Sequence, residues 1–207
     1  MSSRDCRYRS VVKQDLRVAT PPLTPTPAGW IDVVLKDFDE FLKDHASCEK
    51  KASGMALSVA AHYPDQPKLL LAMVDLAVEE LNHYREVVRL LLERDLQPGP
   101  DVKDGYVNSL NQLIRKGPEY FMLDRLLVAA AVERRGAERF SILAAHLHEP
   151  ELRKFYTAIA ESEARHWTMF LGLAGDHFED QVGERWRELC AAESALMLGL
   201  KLKPALH

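Results

Sequence analysis

The chain has 207 residues, of which 47% are apolar and 28% charged, with a formal net charge of −4. That balance excludes a disordered chain, and no uncharged apolar run reaches the roughly 18 residues of a spanning helix. Three cysteines (Cys6, Cys48, Cys190) without zinc-ligand spacing exclude a disulfide framework or a cysteine-based zinc finger, and with no signal-like apolar stretch at the start they place the expected compartment in the cytoplasm.

Residues 1–29 carry Pro21, Pro22, Pro25 and Pro27 and read as an irregular arm; residues 30–207 read as one domain. A first helix is predicted from about Trp30 to His62. Phe38, Leu42, His45, Glu49, Ala52, Ala56 and Val59 recur on one face. After the Tyr63 to Pro67 turn, a second helix to about Arg94 aligns Met73, Leu76, Glu80, His83, Val87 and Leu91. A connection containing a short helix near Tyr106 to Arg115 leads to Gly117 and Pro118. A third helix, about Glu119 to Leu147, aligns Leu126, Ala130, Glu133, Ala137, Phe140 and Ala144. A short turn at Pro150 returns a fourth helix with Tyr156, Ile159, Glu163, His166 and Phe170 on its stripe, fraying near Gly172 to Gly175. A last helix, about Glu179 to Leu198, is expected outside the bundle. The prediction is an all-α four-helix bundle: two helical hairpins joined by a crossover, with an extra C-terminal helix and an irregular N-terminal arm.

The two hairpins are built alike. Glu49 precedes His62 by thirteen residues, and Glu133 precedes His146 by thirteen. Glu-x-x-His then follows in each half, as Glu80 to His83 and Glu163 to His166. Glu and His three apart share a helix face, and here that face is the apolar one. Four carboxylates aimed into one core are very costly unless neutralised. Two divalent cations would balance them, and one Glu from each of two helices plus Glu-x-x-His from the other two is the ferritin-like di-metal pattern. Glu49, Glu80, His83, Glu133, Glu163 and His166 are therefore the candidate ligands. Carboxylate and imidazole donors suit iron or manganese.

His45 lies one turn before Glu49, but its counterpart in the second half is Ala129, which favours a supporting or packed role. His62 and His146 read as helix-end contacts. Glu79 and Glu161 fall off the stripes and read as solvated. The basic pairs Lys50-Lys51 and Arg134-Arg135, with Arg139, lie next to ligand positions; such pairs usually form a solvated or ion-paired face, and the alternative is a phosphate-contacting rim around the site entrance.

Phe41 to Ser53 (FLKDHASCEKKAS), Glu79 to Glu86 (EELNHYRE), Leu123 to Leu127 (LDRLL), Val132 to Phe140 (VERRGAERF) and Ser162 to His166 (SEARH) together resemble the tRNA hydroxylases of the MiaE type. The resemblance spans about Trp30 to Leu173, with Ala137 departing from the family's expected Cys. It implies a ferritin-like monooxygenase with two iron ions on the same six residues. The implied partners are O2, an electron-donor protein or reductase, and a tRNA whose anticodon loop presents a prenylated adenosine; no membrane is expected. The implied reaction hydroxylates the isopentenyl group of 2-methylthio-N6-isopentenyladenosine. A ferritin-like ferroxidase or peroxidase without an organic substrate would need the same ligands, whereas a non-catalytic RNA-binding protein would leave the buried glutamates uncompensated.

Overall fold

The computed structural model describes residues 19–207. Residues 1–18 of the N-terminal arm, with Cys6, lie outside the described residues. Seven helices follow among the described residues: α1 (Gly29–Lys36), α2 (Phe38–His62), α3 (Pro67–Glu93), α4 (Gly105–Asn111), α5 (Pro118–His146), α6 (Pro150–His177) and α7 (Glu179–Leu198). The architecture is a ferritin-like four-helix bundle in which α2 lies along α3 and α5 lies along α6.

Three boundaries differ from expectation, the simplest being α4, which stops at Asn111 rather than near Arg115. The predicted first helix is two helices, because Asp37 leaves helical geometry (φ −136°, ψ 63°) and its carboxylate accepts from the Glu40 N–H to cap α2. The fourth helix does not fray at Gly172 to Gly175 but runs to His177. Leu171, Leu173 and Ala174 are buried there, and this packing outweighs the glycine penalty of about 1 kcal/mol each.

The helix ends repeat the duplication. Pro67, Pro118 and Pro150 each open a helix, where a missing N–H costs nothing. His62 Nδ1 bonds the Ser58 carbonyl at 2.7 Å and His146 Nδ1 the Ile142 carbonyl at 2.8 Å, so both predicted helix-end histidines sit in the last turn. Gly117 precedes α5 at φ 125°, a backbone only glycine adopts without strain.

The core is split in two. Ala56, Leu69, Met73, Leu123, Leu126 and Phe170 belong to one apolar cluster. Trp30, Phe41, Val87, Phe140, Leu143 and Tyr156 belong to the other. On every bundle helix the candidate ligands fall between the residues of these clusters, so the polar layer is sealed above and below by apolar packing.

The arm and the tail close over α5 and α7. Thr24 Oγ1 donates to Ser194 Oγ at 2.9 Å, and the Thr26 N–H and hydroxyl both donate to Glu138. Trp30 Nε1 donates to the Ala205 carbonyl at 3.0 Å. No helix of the described residues is long and apolar enough to cross a membrane.

Candidate metal centre

The six predicted ligands converge. Glu49, Glu80, Glu133, Glu163 and His166 are buried, and the His83 side chain is 14% exposed. Glu49, Glu80, His83 and Glu163 bring one donor atom each within 4.8 Å of one another, and so do Glu80, Glu133, Glu163 and His166. The two sets share Glu80 and Glu163, the glutamates of the two Glu-x-x-His motifs. Each set is one hairpin's three residues plus the shared glutamate of the other hairpin. Two adjacent cations could be held here, one by each set, with Glu80 and Glu163 available to both.

Unpaired atoms point the same way. Glu80 Oε1 and His166 Nδ1 are 2.9 Å apart, yet neither atom has a hydrogen-bond partner. Buried polar atoms are normally paired, and two donors facing one position without bonding each other are arranged as ligands to a common cation. Without a cation, protons carry the balance. Burial disfavours the imidazolium of His83, but Glu49 and Glu80 outweigh it and raise its pKa to about 9. Burial is likewise outweighed at His166, where Glu79 and Glu80 raise the pKa to about 10. Desolvation pushes Glu80 up to about 7, and desolvation with Glu133 pushes Glu163 well above the carboxylate range. At Glu49 burial is overcome by His45 and His83, which hold it below that range.

Supporting residues differ between the halves. His45 is fully buried, with Nε2 2.6 Å from Glu49 Oε1 and Nδ1 3.2 Å from the Tyr156 hydroxyl, so it fixes the orientation of Glu49. At His166 the partner is Glu79, whose Oε2 lies 3.3 Å from Nε2. Glu79 in turn accepts from Ser162 and from Arg165, the latter at 2.8 Å. The expectation that Glu79 is merely solvated is therefore wrong: it reaches across from α3 to α6. The signal lay in the duplication, since Glu79 and Ser162 are matching positions, each directly before a motif glutamate. Glu79→Ala is expected to weaken metal retention by roughly 10- to 100-fold, the usual effect of removing the outer partner of a ligating His, as read by chelator competition.

α2 and α5 nowhere come within 8 Å between Cα atoms. A cavity of about 490 Å³ lies between them and reaches Glu49, Glu80, Glu133 and Glu163 but neither motif histidine. Its wall is apolar at Met55, Val128, Ala129, Val132 and Phe140, and the crossover from Asp101 to Ile114 covers one side. Ala129 is the counterpart of His45, and its small side chain leaves this space.

The predicted basic rim divides. Lys51 lines the cavity and donates to the Val102 carbonyl at 2.6 Å, while Lys50 pairs with Asp101 at 2.8 Å. Arg135 and Arg139 are not on a rim at all. Arg135 is fully buried, forked onto Glu193 at 2.8 and 3.0 Å, and Arg139 is buried against Trp30 and the Leu206 carbonyl. Arg134 is half-buried over the Trp167 ring and donates to the Pro21 carbonyl at 2.7 Å. An adjacent arginine pair on a helix points two ways, and the arm and α7 that cover this face are remote in sequence. Lys103 and Arg125, which sequence reading passed over, do line the cavity.

Comparison with known proteins matches residues 17–207 to the family model described as tRNA-(MS2IO6A)-hydroxylase (MiaE). The chain is 39% identical over 174 residues to a protein of Pseudomonas putida named tRNA 2-(methylsulfanyl)-N(6)-isopentenyladenosine(37) hydroxylase, covering 84% of each. It is 30% identical to a protein of the same name from Salmonella typhimurium, covering 84% of this chain and 82% of the relative. Among solved structures, a protein from Synechococcus described as having aldehyde deformylating oxygenase activity superposes with a TM-score of 0.83 at 34% identity, covering 92% of this chain and 94% of that one.

Proposed function

The chain belongs to the MiaE family, and from that premise we propose its reaction: hydroxylation of the isopentenyl group on 2-methylthio-N6-isopentenyladenosine beside the tRNA anticodon. The reaction consumes O2, two electrons and two protons; a C–H bond becomes C–OH and one water is released. Glu49, Glu80, His83, Glu133, Glu163 and His166 would hold two iron ions, whose redox chemistry supplies the activation of O2. Iron is preferred to manganese because the chemistry is that of O2. An electron-donor protein supplies the electrons, and the compartment is the cytoplasm, where tRNA is met.

The chain's own residues do the rest. The apolar wall of the cavity takes the prenyl tail and keeps water from the reacting carbon. Glu80 and Glu163, which line the cavity, would hold the ions beside it, with His45 orienting Glu49 and Glu79 orienting His166. Lys51, Lys103 and Arg125 at the wall meet the phosphates of the anticodon loop, which is accessible without melting a duplex. The observation that carries this reading is that glutamates of both interlocked donor sets line a cavity with an apolar wall. A ferroxidase or peroxidase needs the donors but not that space.

The test is turnover. Reduced, iron-loaded protein is incubated with prenylated tRNA and O2, and the tRNA is digested to nucleosides. A hydroxylated nucleoside is expected; its absence under coupled reduction rejects the reading. Ala129→Phe fills the cavity and leaves all six candidate ligands unsubstituted. It is expected to lower kcat/KM for prenylated tRNA by roughly 10- to 200-fold at unchanged iron content, the scale on which apolar pockets discriminate.

A further inference from the structure

We propose that Cys48, Asp104 and His207 form a second metal site, for one divalent ion of the zinc class, in the wall of the cavity. These residues come from α2, from the N-cap of α4 and from the tail after α7, and their donor atoms lie within 4.8 Å of one another. All three line the cavity.

The ligand-directed observation is the state of His207. Its residue is 6% exposed, and neither ring nitrogen has a hydrogen-bond partner. Nδ1 stands 3.3 Å from Asp104 Oδ2, within ion-pairing range but outside hydrogen-bond geometry. Among the described residues, orphaned buried side-chain nitrogens and oxygens occur in two places: the Glu80 and His166 pair of the candidate centre, and His207. The arrangement is the same in both, a carboxylate oxygen and an imidazole nitrogen in close approach without a hydrogen bond.

The ring is held for the purpose. It stacks on Tyr106 at 5.0 Å between centroids and 10° between planes. The preceding Leu206 is tied at both ends: its N–H donates to Asp44 at 2.7 Å and its carbonyl accepts from Arg139. Asp104 spends Oδ1 on the N–H groups of Tyr106 and Val107, which leaves Oδ2 for the ring side. One sulfur, one imidazole and one carboxylate suit a tetrahedral zinc-class ion, with cavity water as fourth ligand. Binding displaces the Cys48 thiol proton to solvent. Such an ion would pin the crossover and the tail to α2 at the residue before Glu49, fixing one side of the cavity. The site shares the cavity with the six-residue centre, but its three ligands are different residues and it does not depend on the tRNA reading.

Cobalt(II) is the probe. The full chain is titrated with Co2+ and read in the near ultraviolet, where a thiolate-to-cobalt charge-transfer band reports sulfur ligation; the carboxylate and imidazole centre gives none. The wild-type protein is expected to show the band and Zn2+ to displace it. Cys48→Ser, a one-atom change, and His207→Ala are each expected to lose the band and one metal equivalent by elemental analysis, with helicity by circular dichroism retained. No band in the wild-type protein, or a band that survives either substitution, overturns the site.

Discussion

Glu80→Gln is expected to abolish hydroxylation and strip the centre of iron, while making the metal-free protein more stable. Glu80 belongs to both donor sets, so its loss weakens both ion positions together. The stability gain follows from the same burial. The Glu80 pKa rises from 4.5 to about 7, which corresponds to on the order of 3 kcal/mol held against the folded state at pH 8. Gln keeps the shape and removes the charge. Iron content, nucleoside analysis and a denaturant midpoint of the chelator-treated protein measure the three effects. A Glu80→Gln protein that retains two iron ions and activity would reject the ligand assignment.

The sign of the pH dependence is fixed by the same groups. Glu80, Glu163, His83 and His166 all have raised folded-state pKa values. Each contributes stability that is complete below its unfolded pKa and is lost as pH rises through the folded value. The glutamates act from about 4.5 upward, and the histidines act from about 6.5 to 9 or 10. Glu49 and Glu79 are lowered, so their contribution fades only on acidification below the usual carboxylate range. The metal-free protein should therefore melt at progressively lower temperature between pH 6.5 and pH 9. The iron-loaded protein should be flatter, because cations replace the protons. A metal-free Tm that climbs with pH over this interval would contradict the buried-carboxylate account.

Arg135→Ala is expected to be the most damaging change outside the centre, costing about 3–5 kcal/mol. Arg135 is forked onto Glu193 and also bonds Glu138 and the Thr24 carbonyl, joining α5 to α7 and to the arm. Removing it leaves Glu193 buried at 2% exposure, with the Tyr106 hydroxyl as its remaining polar partner. Urea unfolding at constant m measures the loss. The double variant Arg135→Met with Glu193→Leu should recover most of it, since it removes both charges. If the single and double variants are equally destabilised, packing rather than the charge pair holds α7.

The bundle and the six converging residues were legible in the sequence because both rest on short-range periodicity. Glu80 and His83 share a face by helix geometry alone, and the repeat at Glu163 and His166 tells which face is inside. What escaped depends on contacts between segments far apart in the chain. Glu79 reads as solvated from its own helix and gains its role only through Ser162 and Arg165 of α6. Arg135 reads as half of an exposed basic pair until α7 brings Glu193, 58 residues away, against it. The break at Asp37 was missed because the apolar stripe continues across it; a single carboxylate cap decides the boundary.

The gap between α2 and α5 separates what the molecule does from what it admits. The reactive layer is written into four long helices whose spacing tolerates almost no change. One side of the doorway is written into the crossover between α3 and α5, which reaches the core through Tyr106 and Leu110 and otherwise runs along the opening. Exchange of the crossover residues that line the cavity, with Tyr106 and Leu110 kept, would retune the choice of guest and spare the bundle's own layer, so a lineage can explore new substrates by editing a connector.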